Sequence, residues 1–283
     1  MLLALVATLL AILLAQVVPA LVDWRQRALA WWPRWLALSA GTSPWGWLVS
    51  WLLPLLALAL LQWFLRDWLF GIAYVVLSVL MLVLSWGPRD LERDVEALIE
   101  AEDAPAQEAA RAALYADMNE PDRELAPLTR AVAVALLRRA LGVVFWFLLL
   151  GPVGALGYRL LASQSTQAGP LGLAAQERLR GVLALLEWPV AQLAVLSFAL
   201  MGNCSPVIGA WQQQGRWQAP SLEALLGAAM AAALPEDEAD NDAALSSYWQ
   251  RLPALRRAMR LSWRCLGLWC ALMLSWQLAA WLG

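Results

Sequence analysis

Residues 140–162 read ALGVVFWFLLLGPVGALGYRLLA, and this stretch decides the fold class. It contains one charged side chain, Arg159, in an apolar run as long as a helix needs to cross a bilayer, about 20 residues. Because lipid offers no hydrogen bonds, the backbone of such a run must satisfy its own polar groups, and a helix does so. The stretch therefore predicts a membrane-spanning helix. Gly151 and Pro152 near its centre predict a kink in that helix.

Apolar stretches of similar length recur on both sides of this one. They occupy residues 2–21, 45–65, 68–86, 181–201 and 261–282. The first lacks the basic start and the cleavage site of a secretory signal, so we expect it to remain as a span. The stretch 181–201 contains Glu187, Pro189 and Gln192, and it either crosses the membrane or enters and leaves on one side. The sequence therefore predicts an all-α, polytopic integral membrane protein with about six (five to six) membrane helices.

The composition agrees with a membrane protein and excludes several functional classes. The chain is 61% hydrophobic and 15% charged, whereas about a quarter of the residues in soluble domains are charged. Its net charge of -2 shows no basic excess that would indicate nucleic-acid binding. It has no His and no Lys, which excludes Ser-His-Asp triads, lysine-bearing phosphate loops and Schiff-base chemistry.

The three cysteines, Cys204, Cys265 and Cys270, lack the C-x-x-C spacing of metal sites. A lone cysteine in an apolar segment behaves as a small packing residue. We accordingly assign no catalytic residue, no metal site and no cofactor from the sequence.

Two hydrophilic segments interrupt the apolar pattern. In the first, apolar residues recur at helical spacing among acids, and Asp103 with Pro105 marks a break between two amphipathic helices. A third helix begins near Pro127 and runs into the membrane. The predicted organisation is N-terminal membrane helices with an interfacial connector at 1–86, a hydrophilic helical cytoplasmic segment at 87–139, central membrane helices at 140–202, a second hydrophilic helical segment at 203–260 and a C-terminal membrane helix at 261–283.

Arginines near the ends of the apolar stretches predict the orientation in the membrane. With six crossings, three groups of arginines fall on the cytoplasmic side and both termini lie outside. Arg178 and Arg180 would also lie outside, against this trend. The three groups are Arg25, Arg27 and Arg34; Arg89, Arg93, Arg138 and Arg139; and Arg251, Arg256, Arg257, Arg260 and Arg264.

Glu187 is a candidate functional residue, because an ionisable group inside an apolar segment is costly and usually faces a protein interior or a water-filled cavity. A functional or pairing role and a position near the membrane interface are both open interpretations. Arg159, next to Tyr158 at the outer end of its span, could pair with Glu187 across helices or extend to the headgroups.

Residues 151–154, GPVG, interrupt the helix of the quoted stretch. Pro152 removes a helical hydrogen bond, while Gly151 and Gly154 allow a neighbouring helix to approach closely. A kink or a tight helix crossing is one interpretation. A binding notch at a broken helix is the other.

Three motifs carry a resemblance to a known family: FWFLLLGPVGALGYR at 145–159, GPRDL at 87–91 and EWP at 187–189. In order and spacing the chain resembles the AmpE family and the related CbiB/CobD family. The AmpE resemblance implies an inner-membrane protein tied to induction of chromosomal β-lactamase. The CbiB resemblance implies a membrane enzyme that joins an aminopropanol arm to a corrinoid carboxylate during cobalamin synthesis.

The chain departs from the CbiB pattern at two motifs. The Asn-Thr-x-Asp-Ser-Met motif of that branch is absent from 160–167, which read LLASQSTQ. Glu187 stands where an Asp is expected, and Gln192 stands where an Arg is usual. We therefore expect an AmpE-like regulatory protein rather than an enzyme. A CbiB-like ligase and a transporter for a small amphiphile are the alternatives.

The resemblance and the residues together define the predicted partners and site. The partners are the lipid bilayer and a cytoplasmic protein bound through 87–139; a homo-oligomer stays open, and nucleic acid is not expected. The predicted location is the bacterial inner membrane, with several crossings. The candidate binding residues are Arg89, Gly151, Pro152, Gly154, Tyr158, Arg159 and Glu187.

Overall fold

A computed structural model describes most of the chain, and every regular element in the described part is a helix. The described residues are 32, 34–35, 46–65, 72–86, 91–119, 126–166, 173–214, 222–234 and 251–282. The predicted first span at 2–21, the acidic loop that opens at Glu236 and the candidate residue Arg89 lie outside them. So does the connector at 23–41, apart from Trp32, Arg34 and Trp35, which are helical.

We number the helices of the described residues α1 to α10 in chain order. They are α1 (Gly46–Leu65), α2 (Ile72–Ser85), α3 (Leu91–Glu100), α4 (Ala104–Tyr115), α5 (Leu128–Leu150), α6 (Pro152–Thr166), α7 (Leu173–Met201), α8 (Cys204–Gln213), α9 (Leu222–Ala233) and α10 (Arg251–Leu282). Helix α5 contains one turn of wider π-helix at Leu137–Leu141. The all-helical fold class is therefore confirmed for the described residues.

Helix boundaries in the hydrophilic segment lie at the residues that the sequence predicts. Asp103 precedes α4 in an extended conformation, and Pro105 lies in its first turn, where the missing N–H costs nothing. Pro127 immediately precedes α5. The break at Asp103 and the helix start at Pro127 are thus confirmed.

Two helices in the described residues are long and apolar enough to cross a membrane: Leu128–Leu150 and Gln176–Met201. Within the other predicted spans, the described residues form the helices Gly46–Leu65 and Ile72–Ser85 and the part of Arg251–Leu282 from residue 261 onwards. The last of these forms one continuous helix with the basic residues before it, α10. Crossing by five or six helices stays a prediction.

The chain divides into two compact units, and we describe each by itself. Unit 1 is Met1–Pro88, Gly142–Leu186 and Leu272–Gly283, and unit 2 is Arg89–Leu141 and Glu187–Ala271. In unit 1, Phe147, Tyr158 and Leu183 belong to a buried apolar core. Helix α1 carries exposed large apolar side chains, up to Trp63 at 75%. Exposed apolar side chains of this kind mark a surface that contacts lipid or another protein.

The junction of α5 and α6 in unit 1 is a true helix break. Gly151 has a φ of 69°, a left-handed conformation that favours glycine, and Pro152 opens α6. The side-chain amide of Gln62 donates to the carbonyl of Leu150 (3.4 Å) and accepts from the N–H of Val153 (3.4 Å). Gln62 therefore binds backbone groups that the break leaves without helical partners.

The predicted interruption at Gly151 and Pro152 is confirmed, but the predicted span at 140–162 is wrong as a single helix. The helix long and apolar enough to cross begins earlier, at Leu128, and ends at Leu150. The break ends the α5 hydrogen-bond ladder, and α6 starts a new one.

Unit 2 has a tightly packed apolar core formed by α5 and α9. Ala131, Ala133 and Ala135 are completely buried, and small side chains of this kind let helices approach closely. A Cβ on Gly227 of α9 would meet the side chain of Arg130 on α5, so the close approach requires glycine there. This packing positions the charged residues at the middle of α5.

Candidate functional site

Two adjacent arginines, Arg138 and Arg139, lie in the π-helical turn of α5 within unit 2. Each has only 4% of its surface exposed, in a helix that is otherwise apolar from Ala131 to Leu150. A π turn inserts one extra residue into a helix, and such turns occur frequently at functional sites. Buried guanidinium groups require anionic partners, because an unpaired buried charge is very costly.

Arg138 binds Glu187 through both carboxylate oxygens. Its Nε donates to Oε1 at 2.7 Å and its Nη2 donates to Oε2 at 3.0 Å. This parallel geometry is the strongest form of an arginine–carboxylate pair. Arg138 Nη1 also lies 3.2 Å from Glu223 Oε1 and donates to the carbonyl of Asp117.

Arg139 binds the hydrophilic helices instead. Its Nε donates to Asp117 Oδ2 at 2.5 Å, and its Nη1 donates to Asp94 Oδ2 at 2.6 Å. Its Nη2 donates to the carbonyl of Ala113 at 3.4 Å. Asp94 belongs to α3, and Ala113 belongs to α4. Arg139 therefore ties both helices of the hydrophilic segment to α5.

Glu223, in the first turn of α9, joins a third part of unit 2 to these arginines. Besides Arg138, its Oε1 accepts the backbone N–H of Asn119 at 2.9 Å. A carboxylate at a helix start is also favoured by the positive end of the helix dipole. We call Asp94, Asp117, Arg138, Arg139, Glu187 and Glu223 the ion cluster.

The ion cluster holds helices of unit 2 together through buried ion pairs. Arginine keeps its proton under all biological conditions, so Arg138 and Arg139 act as fixed positive charges. Among the described residues, no group of three or more His, Cys, Asp or Glu is arranged to hold a metal ion. Removing one partner from a buried ion pair typically costs about 3–5 kcal/mol, so the cluster strongly specifies one arrangement of α3, α4, α5 and α7.

The structure places the predicted site residues in different surroundings. Glu187 is 2% exposed and ion-paired with Arg138. Tyr158 packs in the core of unit 1, where its ring occupies the space beside Gly142. Arg159 is buried in α6. Pairing of Arg159 with Glu187 stays a prediction, as does a binding role for Arg89, which is outside the described residues.

Gly151, Pro152 and Gly154 surround the break between α5 and α6. Gln62 and Tyr74 lie at the space that a Cβ on Gly151 would take. A Cβ on Gly154 would meet the carbonyl of Trp146, so glycine lets the start of α6 lie close to the backbone at the end of α5. Protein atoms thus lie close to both glycines, and a binding notch at the break stays a prediction.

Of the six residues in the ion cluster, only Glu187 was a candidate site residue in the sequence analysis. Arg138 and Arg139 were predicted to flank a span; both lie buried within α5, and their position relative to the membrane stays a prediction. A signal was present: two adjacent charges follow a fully apolar run that starts at Ala131. Asp94 also precedes Val95 on the apolar side of α3. Asp94 is 45 residues from Arg139, and Glu187 is 49 residues from Arg138. Local periodicity does not identify pairs that are so far apart in the sequence.

In the described residues, fold and site together define an all-helical protein with two helices long and apolar enough to span a membrane and a buried ion cluster joined to a hydrophilic helical segment. A family model described as "Regulatory signalling modulator protein AmpE" matches residues 46–219. The chain belongs to the AmpE family. The match includes every member of the ion cluster except Glu223. Searches of curated proteins and of solved structures gave no match.

Proposed function

We propose that this chain is a multi-pass inner-membrane protein that modulates β-lactamase induction in response to cell-wall stress. The observation that carries the proposal is the AmpE family match over residues 46–219. The two apolar helices Leu128–Leu150 and Gln176–Met201 support a membrane location.

The ion cluster supports a relay of conformational change rather than a catalytic reaction. Glu187 lies on α7, and its partner Arg138 adjoins Arg139, which binds α3 and α4. A shift of α7 that breaks the Arg138–Glu187 pair would change the π turn that also positions Arg139. Buried pairs favour discrete arrangements over gradual deformation, which is what a switch needs.

The proposed contact with a cytoplasmic protein lies on the outer face of α4. Arg139 holds the inner side of this helix through Ala113, while Pro105, Glu108 and Ala112 are exposed. Because α4 is bound to the ion cluster, a rearrangement of the cluster would move the exposed face of α4. The position of this face would then determine whether a partner protein can bind it. A cytosolic amidase of cell-wall recycling, with which the family resemblance associates AmpE-like proteins, is the kind of partner that we propose.

The alternatives receive less support from the geometry. A carrier that uses Glu187 requires this carboxylate to be available to its cargo, yet both of its oxygens accept hydrogen bonds from Arg138. A ligase that binds a nucleotide through a phosphate loop requires a lysine, and the chain has none.

The proposal is tested by β-lactamase activity, with and without a sub-inhibitory β-lactam, in the source strain, a deletion strain and the deletion strain carrying the gene. We expect deletion to change the induction ratio and complementation to restore it. The level of the protein in membrane fractions serves as the control. An unchanged induction ratio on deletion would overturn the regulatory proposal, and rescue of a corrinoid auxotroph would favour the ligase instead.

A further inference from the structure

A groove of about 450 Å³ runs between α3 and α10 within unit 2. Val95 and Ile99 of α3 and Met259 and Trp263 of α10 give it an apolar lining. The two residues from each helix are four positions apart, so each pair lies on one helix face. We call this feature the α3–α10 groove.

Charged side chains of opposite sign line the two sides of the α3–α10 groove. Glu92, Glu96 and Glu100 come from α3, and Arg256 and Arg260 come from α10. In the described part of the chain, none of these five side chains takes part in an ion pair or hydrogen bond. Like charges four residues apart on a helix repel each other, and the two rows face each other across the groove without direct ion pairs, so a ligand that carries both charges would stabilise both rows.

We propose that the α3–α10 groove binds a phospholipid with a primary amine in its headgroup. The ammonium group would lie against the glutamates, the phosphate against the arginines, and the acyl chains along the apolar lining. This site deepens the proposed function, and it rests on the membrane location proposed there.

The charge pattern selects this chemistry among lipids. A primary ammonium offers three N–H donors to the row of glutamates, whereas a quaternary choline offers none. A phosphate matches arginines well, because the guanidinium fork fits its oxygens. An anionic lipid without an amine would bring no cation to Glu92, Glu96 and Glu100. A zwitterion with a donating cation is therefore the best match to both sides.

The composition of α10 favours a lipid over a partner helix. Its first part is basic, with Arg256, Arg257 and Arg260, and an almost continuous apolar run follows, interrupted by Arg264. Trp263 stands at this change, and Trp and Arg at such a boundary are typical of the headgroup layer. The groove thus lies at the part of α10 that we expect at headgroup depth, where phospholipid is the most abundant ligand.

The test uses the full chain, purified in mild detergent and incubated with equal amounts of phosphatidylethanolamine, phosphatidylcholine and phosphatidylglycerol. Native mass spectrometry then measures which lipid stays bound. We expect phosphatidylethanolamine to be retained about tenfold better than phosphatidylcholine, the factor that one charge-assisted hydrogen bond supplies. The triple variant E92Q/E96Q/E100Q should lose this preference. The double variant R256Q/R260Q should bind all three lipids less.

A matched control removes three exposed carboxylates outside the groove, E102Q/E108Q/E177Q, and it should keep the wild-type preference. Thermal melting checks that all variants are folded. Equal retention of the three lipids, stronger retention of phosphatidylglycerol, an unchanged preference in the glutamate variant, or a bound polypeptide in place of lipid would each overturn the proposal. β-Lactamase induction does not enter this measurement, so the lipid site and the regulatory function can fail separately.

Discussion

Arg138 and Arg139 are neighbours in sequence but bind different parts of unit 2. Arg138 binds Glu187 of α7 and Glu223 of α9, whereas Arg139 binds Asp94 and Asp117. In a regular α-helix adjacent side chains already point about 100° apart, and the π turn changes that angle locally. Two neighbouring guanidinium groups can thus bind carboxylates on different elements of unit 2.

The burial of Arg138 predicts a large effect on stability. Replacement by Ala leaves Glu187 buried without this partner, so Arg138→Ala should lower the free energy of unfolding by about 3–5 kcal/mol. Arg256→Ala is the matched control, because Arg256 is exposed and its loss should change stability by about 0.5 kcal/mol or less. Thermal and denaturant unfolding of the purified variants measure both effects. Equal stabilities of the two variants would contradict a stabilising ion cluster.

At the scale of elements, the break between α5 and α6 depends on one backbone conformation. Gly151 adopts a positive φ, and Gln62 binds the backbone on both sides of it. A non-glycine residue in this conformation pays a steric cost, and a Cβ would also lie 2.9 Å from Gln62 Nε2. The break is therefore specified both by the glycine and by a side chain from α1.

Gly151→Ala should destabilise the protein by about 1–2 kcal/mol, the usual cost of a left-handed conformation for an L-residue. Gly181→Ala provides the control, since Gly181 lies within α7 and a Cβ there meets nothing within 4 Å. That variant should be neutral or stabilised by up to about 1 kcal/mol. Melting temperatures of the two variants and the wild type in the same detergent measure both changes in stability. A stabilised Gly151→Ala would mean that α5 and α6 can join into one helix.

The attachment of α3 and α4 to α5 is a second property of elements. Asp94→Asn with Asp117→Asn removes both carboxylates that bind Arg139, while it keeps the size of the side chains. Backbone amides of α3 and α4 should then exchange hydrogen about tenfold faster or more, because these helices lose buried ion pairs. Hydrogen exchange with mass spectrometry measures this change. Asp103→Asn, at an exposed position without a side-chain capping bond, should leave the exchange as it is.

At the scale of the whole molecule, local patterns predicted the helices but not their partners. Asp103, Pro105 and Pro127 mark helix ends through local backbone chemistry, and these boundaries were predictable. Arg139 and Asp94 are 45 residues apart, and nothing local connects them. Apolar periodicity identifies the buried face of a helix, but it does not identify which charged side chains form ion pairs with each other. The ion cluster therefore required the tertiary structure, except for Glu187, whose charge was conspicuous in an apolar segment.

The proposed relay predicts that induction depends on the charge of Glu187. Glu187→Gln keeps the shape of the side chain but removes the anion that Arg138 binds, so the arrangement of the ion cluster is no longer fixed by this pair. In the complemented deletion strain, the β-lactamase induction ratio should move from the wild-type value towards that of the deletion.

Glu177→Gln, on the exposed part of the same helix α7, removes an equal charge and should restore induction as the wild type does. Quantification of both variants in membrane fractions separates loss of signalling from loss of protein. If Glu187→Gln accumulates normally and induces as the wild type does, the ion cluster only stabilises the fold, and the regulatory signal must pass through another part of the molecule.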